Sequence, residues 1–202
     1  MENSGNQSID IITKDMSKAA ITQPLTTEEE RFSQTIEELI KLVQDLTIEV
    51  TKKGYKIVDP QVIGVAVSVI KIVPASRLFE VFIRRSHEHW EKIRVKNKDF
   101  FIDEAHNMFS DLPGGHVSAF KDLVSIRDKD NNSVVPAEDI DALFEFFHAM
   151  IKISIKYIHK QRQPIVVKQA DGTLYKYNVP SNFEYVQLDT HAKNWGVILL
   201  FQ

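Results

Sequence analysis

The chain of 202 residues contains no cysteine. This absence excludes disulfide bonds, thiol nucleophiles and every zinc site that uses a cysteine ligand. Cysteine-free chains are typical of a reducing compartment, so we expect an intracellular, cytoplasmic protein. The first ten residues, "MENSGNQSID", also lack the basic-then-apolar order of a secretory signal.

Long apolar runs and a dominant charge sign are absent as well. The longest apolar stretch, "VIGVAVSVIKIV" at 62–73, contains Lys71 and is shorter than the roughly 20 residues that a membrane span needs. The 25 basic and 28 acidic side chains give a formal charge of -3. This balance excludes a polyanion-coating protein, so we expect no membrane span and at most a local nucleic-acid surface.

Glycine is scarce, and none of the seven glycines belongs to a phosphate-binding loop G-x-x-x-x-G-K-[ST]. The loop matters because residues 103–106 read Asp-Glu-Ala-His, the box that marks one class of helicases. Such a box serves nucleotide hydrolysis only beside that loop. The spacing of Phe101, Ala105 and Phe109 instead predicts a short amphipathic helix, with Asp103 and Glu104 on its solvent side balancing a preceding basic stretch.

Helical periodicity dominates what is present. With 43% hydrophobic residues the chain can bury one main core. We expect a flexible polar N-terminal arm at 1–25 and a helical core domain at 26–163. The central helix is predicted from Ala137 to His159, where apolar residues cover more than half of the circumference. Asp59 and Pro60 predict a helix start before the 62–73 run, although its β-branched residues leave a buried strand open.

The last 40 residues change character. "IVVKQADGTLYKYNV" alternates around Asp171 and Gly172, which is a hairpin signal, and "FEYVQL" and "VILLFQ" have the composition of further strands. We therefore predict that residues 164–202 form a small antiparallel β appendage packed on the helices. The predicted fold class is mainly α, a helical bundle with a small C-terminal antiparallel hairpin or sheet (α+β).

A polar loop at 128–139, "DKDNNSVVPAED", resembles the calcium loop of the EF-hand family. The candidate ligands for Ca²⁺ or Mg²⁺ are Asp128, Asp130, Asn132 and Asp139, at the first, third, fifth and twelfth loop positions. Ser133 replaces the glycine of the sharp turn, and Asp139 is shorter than the usual bidentate glutamate. The alternative is a polar turn that bonds its own backbone before a capped helix.

Lysines recur on one face of the predicted central helix, at Lys152, Lys156 and Lys160. Such a row could contact nucleic-acid phosphates. Acidic residues, however, stand at the start of the same helix, and acid at the start with base at the end is what a helix dipole favours. Both interpretations stay open on the sequence.

Residues 76–164 resemble uncharacterised proteins of nucleocytoplasmic large DNA viruses. The similarity lies in "FIRRSHEHWEKIRVKNKDFF" and "FFHAMIKISIKYIHKQRQP", that is, in a Ser-x-x-x-Trp helix, an aromatic pair after a basic stretch, and a Tyr-Ile-His ending. The resemblance implies a particle or assembly component and therefore a virion location. It implies no role for individual residues.

The sequence contains no complete catalytic set, so we expect no catalytic residues, no cofactor and no enzyme. The leading hypothesis is a non-enzymatic structural or interaction protein, a minor virion or assembly component that binds protein partners, capsid components or further copies of itself. The alternatives are a divalent-ion-binding helical module that uses the 128–139 loop, and a nucleic-acid-binding adaptor.

Overall fold

The computed structural model describes residues 27–109 and 116–200, which are mainly helical with one small antiparallel sheet. The predicted fold class is confirmed, whereas the predicted arm, residues 1–25, lies outside the described residues. In chain order the elements are α1 (Thr27–Lys52), α2 (Pro60–Ile72), α3 (Ala75–Ser86), a 3₁₀ turn (His87–His89), α4 (Trp90–Arg94), α5 (Lys98–Phe109), α6 (His116–Ser125), α7 (Ala137–Gln161), β1 (Ile165–Lys168), β2 (Leu174–Tyr177) and α8 (Leu188–Asn194).

Helix α7 is the centre of the bundle, as its apolar pattern predicts. It packs against α1, α4 and α8. Because three helices pack around α7, its apolar residues must lie on more than one side of the helix. Its buried residues are Ile140, Leu143, Phe144, Phe147, Met150, Ile151, Ser154, Ile155, Tyr157 and Ile158.

The connection between α1 and α2 follows its sequence signals. Gly54 has φ of +89°, a left-handed conformation in which glycine has no Cβ to clash. The Asp59 carboxylate then accepts a 2.8 Å hydrogen bond from the backbone N–H of Gln61, and Pro60 occupies the first helical position. The run at 60–72 is therefore a helix, which closes the strand alternative.

Aromatic side chains from three helices meet at Phe101. Its ring is fully buried and lies 5.2 Å from Phe120, 4.8 Å from Phe144 and 4.9 Å from Phe147, measured between centroids. Tilted and edge-to-face pairs of this kind add about 0.5–1.5 kcal/mol each beyond their buried area. This cluster fixes α5 and α6 against α7.

A second aromatic group joins α1, α3 and α7. Phe79 stacks between Phe32, at 4.0 Å, and Tyr157, at 4.1 Å. Burial of the Tyr157 hydroxyl and the nearby Glu29 carboxylate raise the pKa of Tyr157 to about 12. The start of α1 is thereby fixed beside the last turns of α7.

The residues after the hairpin depart from the prediction. "FEYVQL" is mainly a turn that leads into α8, and the described part of "VILLFQ", residues 197–200, forms no strand, so the two strands predicted there are wrong. The spacing of the buried residues is irregular and suits a turn and a short helix lying on the bundle. These residues are Phe183, Val186, Leu188, Ala192 and Trp195.

Histidine side chains join this C-terminal segment, residues 181–200, to the helices. Burial, followed by the neighbouring His87, lowers the pKa of His191. The contacts are His87 with Tyr185 at 5.0 Å and His191 with Trp90 at 4.8 Å between ring centroids, His148 with Trp195 at 5.2 Å, and His159 Nε2 with the Leu200 carbonyl oxygen at 3.1 Å.

Candidate interaction surface

The turn of the hairpin is built by three consecutive residues. The N–H of Gly172, at φ +86°, donates a 3.0 Å bond to the Gln169 carbonyl, and Gln169 N–H donates a 2.8 Å bond to Thr173. The Asp171 carboxylate accepts bonds from the Thr173 hydroxyl at 2.5 Å and from its N–H at 2.9 Å, and these bonds lower the pKa of Asp171. The Asp-Gly signal therefore produces the predicted turn.

The strand register divides the hairpin into two different faces. Ile165 pairs with Tyr177 and Val167 with Tyr175, and alternation places these four on one side, which we call the apolar face. The two tyrosine rings lie 4.7 Å apart. The opposite side, the lysine face, consists of Val166, Lys168, Leu174 and Lys176.

Both faces are open to solvent. All strand positions of β1 and β2 are exposed, and the exposed fraction reaches 68% at Leu174. The predicted packing of segment 164–202 on the helices stays a prediction: the hairpin strands are exposed, whereas Phe183, Val186 and Trp195 after them are buried.

Within residues 27–109 and 116–200, no further strand pairs with either edge of the hairpin. Since Gln169 and Thr173 form a hydrogen-bonded pair, the alternation of an antiparallel ladder also makes Val167–Tyr175 a bonded pair. The N–H and C=O groups of Val166 and Lys168 consequently point away from β2. The described sheet has only these two strands, so these backbone groups face outward.

Arg162 holds the base of the hairpin to the bundle. Its guanidinium Nη2 donates to the carbonyl oxygens of Phe183 and Val186, the second at 3.1 Å. The chain that enters β1 and the chain that has left β2 are thus tied together at one point. The base is anchored while the strands project into solvent.

The 128–139 loop is a self-bonded turn. Asp128 Oδ1 accepts bonds from the backbone N–H of Asp130 at 2.9 Å and of Asn132 at 2.8 Å, and these bonds lower the pKa of Asp128. Its Oδ2 lies 3.4 Å from the Asn132 side-chain nitrogen. Asp139 stands in the first turn of α7. In the described ranges no three acidic or histidine side chains are grouped closely enough to hold a metal ion, and the ion site stays a prediction.

The predicted lysine row lies on α7, with Lys152, Lys156 and Lys160 all exposed. Lys160 forms an ion pair with Glu28 at 3.3 Å, so part of this row neutralises the start of α1. Contact of the row with nucleic acid stays a prediction.

The Asp-Glu-Ala-His box lies within α5, where Asp103 is exposed and Glu104 is half-buried. Phe101 is buried as predicted, whereas the side chains at 105 and 109 fall outside the described ones. Of the basic residues that precede the box, Lys96 lies 3.0 Å from Glu145 and 3.6 Å from Asp141, both on α7.

No family model matches the chain, and no curated protein or solved structure is similar to it. What the fold and the surface define is a mainly helical domain that presents an exposed, two-faced hairpin. Of the helices described, none is long and apolar enough to cross a bilayer by itself; Pro60–Ile72 and Ala75–Arg94 reach that composition only together, with a 115° bend between them.

The sequence predicted the position of the hairpin but did not identify its tyrosines as part of an exposed binding surface. A signal was present: Ile165, Val167, Tyr175 and Tyr177 share one parity, whereas both lysines have the other. If the hairpin packed on the helices, its single apolar face would lie against them and the tyrosines would be buried.

Proposed function

We propose that the chain is a non-enzymatic structural or interaction protein that binds a protein partner through the apolar face of its hairpin. The observation that carries this proposal is that every position of both strands is exposed, including four apolar or aromatic side chains on one face. Contiguous exposed apolar surface is typical of a binding site, and tyrosine is enriched where partners meet.

The charges around the apolar face suggest the chemistry of the partner. Lys168 and Lys176 stand directly behind it on the other side of a two-stranded sheet. A partner that offers an apolar patch bordered by carboxylates would match both features, with the apolar contact supplying affinity and the charges supplying orientation. The viral resemblance makes a capsid or assembly component the first partner to test, and a virion the first location.

The test compares Tyr175→Ser/Tyr177→Ser with a control at another exposed apolar residue. Ile72→Ser is suitable because Ile72 is 80% exposed and lies on a different element, α2. The partner is first identified by native co-purification, including from particles, and its dissociation constant is then measured with each purified variant. We expect the double tyrosine variant to weaken binding at least about tenfold, as the loss of interface hot spots does.

Two results would contradict the proposal. Equal affinity of the tyrosine variant and the Ile72 control would remove the apolar face as the binding site. Turnover of a substrate by the purified chain, abolished by changing a buried polar residue such as Ser154, would overturn the non-enzymatic assignment.

A further inference from the structure

The edge of β1 that faces away from β2 presents backbone groups to a further strand. The N–H and C=O groups of Val166 and Lys168 lie on this edge, and in the part of the chain that the structure describes no strand occupies it. A two-stranded hairpin with both faces exposed is marginally stable in water, and three or more strands are needed for independent stability. The edge is therefore suited to pairing with a strand of another molecule.

The residues at the two ends of β1 allow one register with a second copy of the same strand. In a symmetric antiparallel pair, Val166 of each copy faces Lys168 of the other, which forms four backbone hydrogen bonds around a central pair of Val167 residues. A shift of two residues in one direction pairs Lys168 with Pro164, which has no N–H to donate. A shift in the other direction places the two Lys168 side chains opposite each other, and like charges in that position are destabilising.

The edge of β2 does not restrict the register in this way. Its outward residues are Leu174 and Lys176, and Asn178 continues the same parity. Leu174 can face Lys176, or Lys176 can face Asn178, without bringing like charges together. A strand with several equivalent registers is weakly specified. Three of the four residues of β1 are β-branched, so β1 is also the better strand former.

We infer that two copies of the chain pair through the outward edges of their β1 strands and form a four-stranded antiparallel sheet. The hairpins then point in opposite directions, which places the two helical bundles at opposite ends of the sheet. The turn of each hairpin reaches the level of Gln163 in the other copy. Asp171 of one copy thereby approaches Arg162 of the other, and these opposite charges favour the arrangement.

The pairing joins the two apolar faces into one surface. Directly opposed residues of a ladder point to the same side of the sheet, so the apolar faces of both copies lie side by side. A standard interface uses about 20–30 residues a side, so a single hairpin is a small binding surface and the paired sheet doubles it. The inference rests on the proposed function only in treating the hairpin as an interaction element. Pairing uses the edge of β1 and partner binding uses the apolar face, so the two are measured separately.

Disulfide trapping tests the register, because the full-length chain has no cysteine of its own. Val167→Cys should give a disulfide-linked dimer, since the Cα atoms of a non-hydrogen-bonded pair lie about 4.5 Å apart. The matched control is Val166→Cys, because Val166 is 49% exposed and Val167 is 43% exposed. The two copies of residue 166 are displaced by two residues along the strands, which puts their Cα atoms beyond the roughly 7 Å limit for a disulfide.

Under a mild oxidant, Val167→Cys should form the covalent dimer at least about tenfold faster than Val166→Cys. Equal rates for the two variants would overturn the inferred register. Faster dimer formation by Tyr175→Cys, at the centre of the β2 edge, would overturn the choice of edge.

Hydrogen exchange tests the pairing in the unaltered chain. An interface of four backbone bonds and one central side-chain pair is small and of the weakly binding class, so we expect a dissociation constant on the order of 100 µM. Between about 10 µM and about 1 mM chain, exchange of the Val166 and Lys168 amides should slow about fourfold, whereas the Leu174 and Lys176 amides should not change. Exchange at Val166 and Lys168 that is independent of concentration, or slowing on the β2 edge, would contradict the inference.

Proline substitution separates the two edges. Val166→Pro removes an outward N–H of β1 without removing a hydrogen bond to β2, and Leu174→Pro does the same on the other strand. In sedimentation velocity, only Val166→Pro should abolish the concentration-dependent dimer. Equal loss in both variants would show that association needs an intact hairpin and not the edge of β1, which would overturn the inference. Partner binding enters none of these measurements, so a failure of the proposed function leaves their outcome unchanged.

Discussion

Alkaline unfolding should report the burial of Tyr157. Its side chain is only 5% exposed, and its pKa is raised from 10.0 to about 12, first by burial and then by Glu29. Because the pKa in the folded state exceeds that in the unfolded state, the stabilising contribution is complete below pH 10 and is lost as the pH rises to 12. One pKa unit corresponds to 1.36 kcal/mol, so the full loss is about 3 kcal/mol, with about half of it gone at pH 11.

Tyr157→Phe removes this titration and keeps the ring that stacks on Phe79. At pH 8 the variant should be less stable by about 1–2 kcal/mol, because it loses the hydrogen bonds of the hydroxyl. Between pH 8 and pH 11 the difference in the free energy of unfolding should shrink by on the order of 1 kcal/mol. Urea unfolding at pH 8, 9, 10 and 11 measures this, with Tyr175→Phe on the exposed hairpin as the control. A difference that stays constant with pH would refute the reasoning.

Further predictions concern the core, acid stability and divalent ions. Ser86→Ala should lower the free energy of unfolding by about 1–3 kcal/mol, because the buried Trp90 indole loses its 2.8 Å acceptor, and Trp90→Phe in the same chain should recover part of that loss in a double-mutant cycle. Phe101→Ala should cost about 3–5 kcal/mol in urea unfolding, far more than an exposed Ile72→Ala. Burial lowers the pKa of His191, so the neutral ring stabilises the folded state above pH 6.5, and this stabilisation is lost as the pH falls below that value. His191→Gln should therefore flatten the decline in the free energy of unfolding from pH 7.5 to 5.5. Calorimetric titration with Ca²⁺ and Mg²⁺ should give no binding heat, because Asp128 is already bonded within its own turn; heat that disappears in Asp128→Ala would contradict this.

The helical part of the fold was predictable because its signals agree with one another. The stripe on α7 is long and regular, and the core residues Leu143, Phe147 and Ile151 follow one period. Asp59 and Gly54 mark helix ends by chemistry that is local to a few residues. Such local signals need no knowledge of the rest of the structure.

The C-terminal segment was not predictable in the same way. Phe183, Val186 and Leu188 lie in a stretch whose composition favours a strand, yet their environment is the surface of the bundle. A strand there would have needed β2 as a partner, whereas a turn and a short helix can cover the exposed apolar groups of α7. The outcome depends on which surface remains uncovered after the helices pack.

The sequence predicts which residues share each face of the hairpin, but it does not predict that both faces are exposed. The turn at Asp171 and Gly172 and the strand parities follow from the sequence. Whether the tyrosines are covered depends on how the rest of the chain packs around the hairpin, which is a long-range property. Binding surfaces are therefore harder to predict than the elements that carry them.

The start of α1, the end of the described chain and the base of the hairpin all lie at the C-terminal end of α7, and this affects where a label can be attached. Glu28 contacts Lys160, and Leu200 contacts His159, so both ends of the described chain lie beside the base of the hairpin. A fluorescent protein or affinity tag attached directly at Thr27 or Leu200 would crowd the surface whose binding is to be measured. The exposed turn at Asn131 precedes the other end of α7, and a 25-residue helix is about 37 Å long. A small peptide tag inserted at that turn would leave the hairpin accessible.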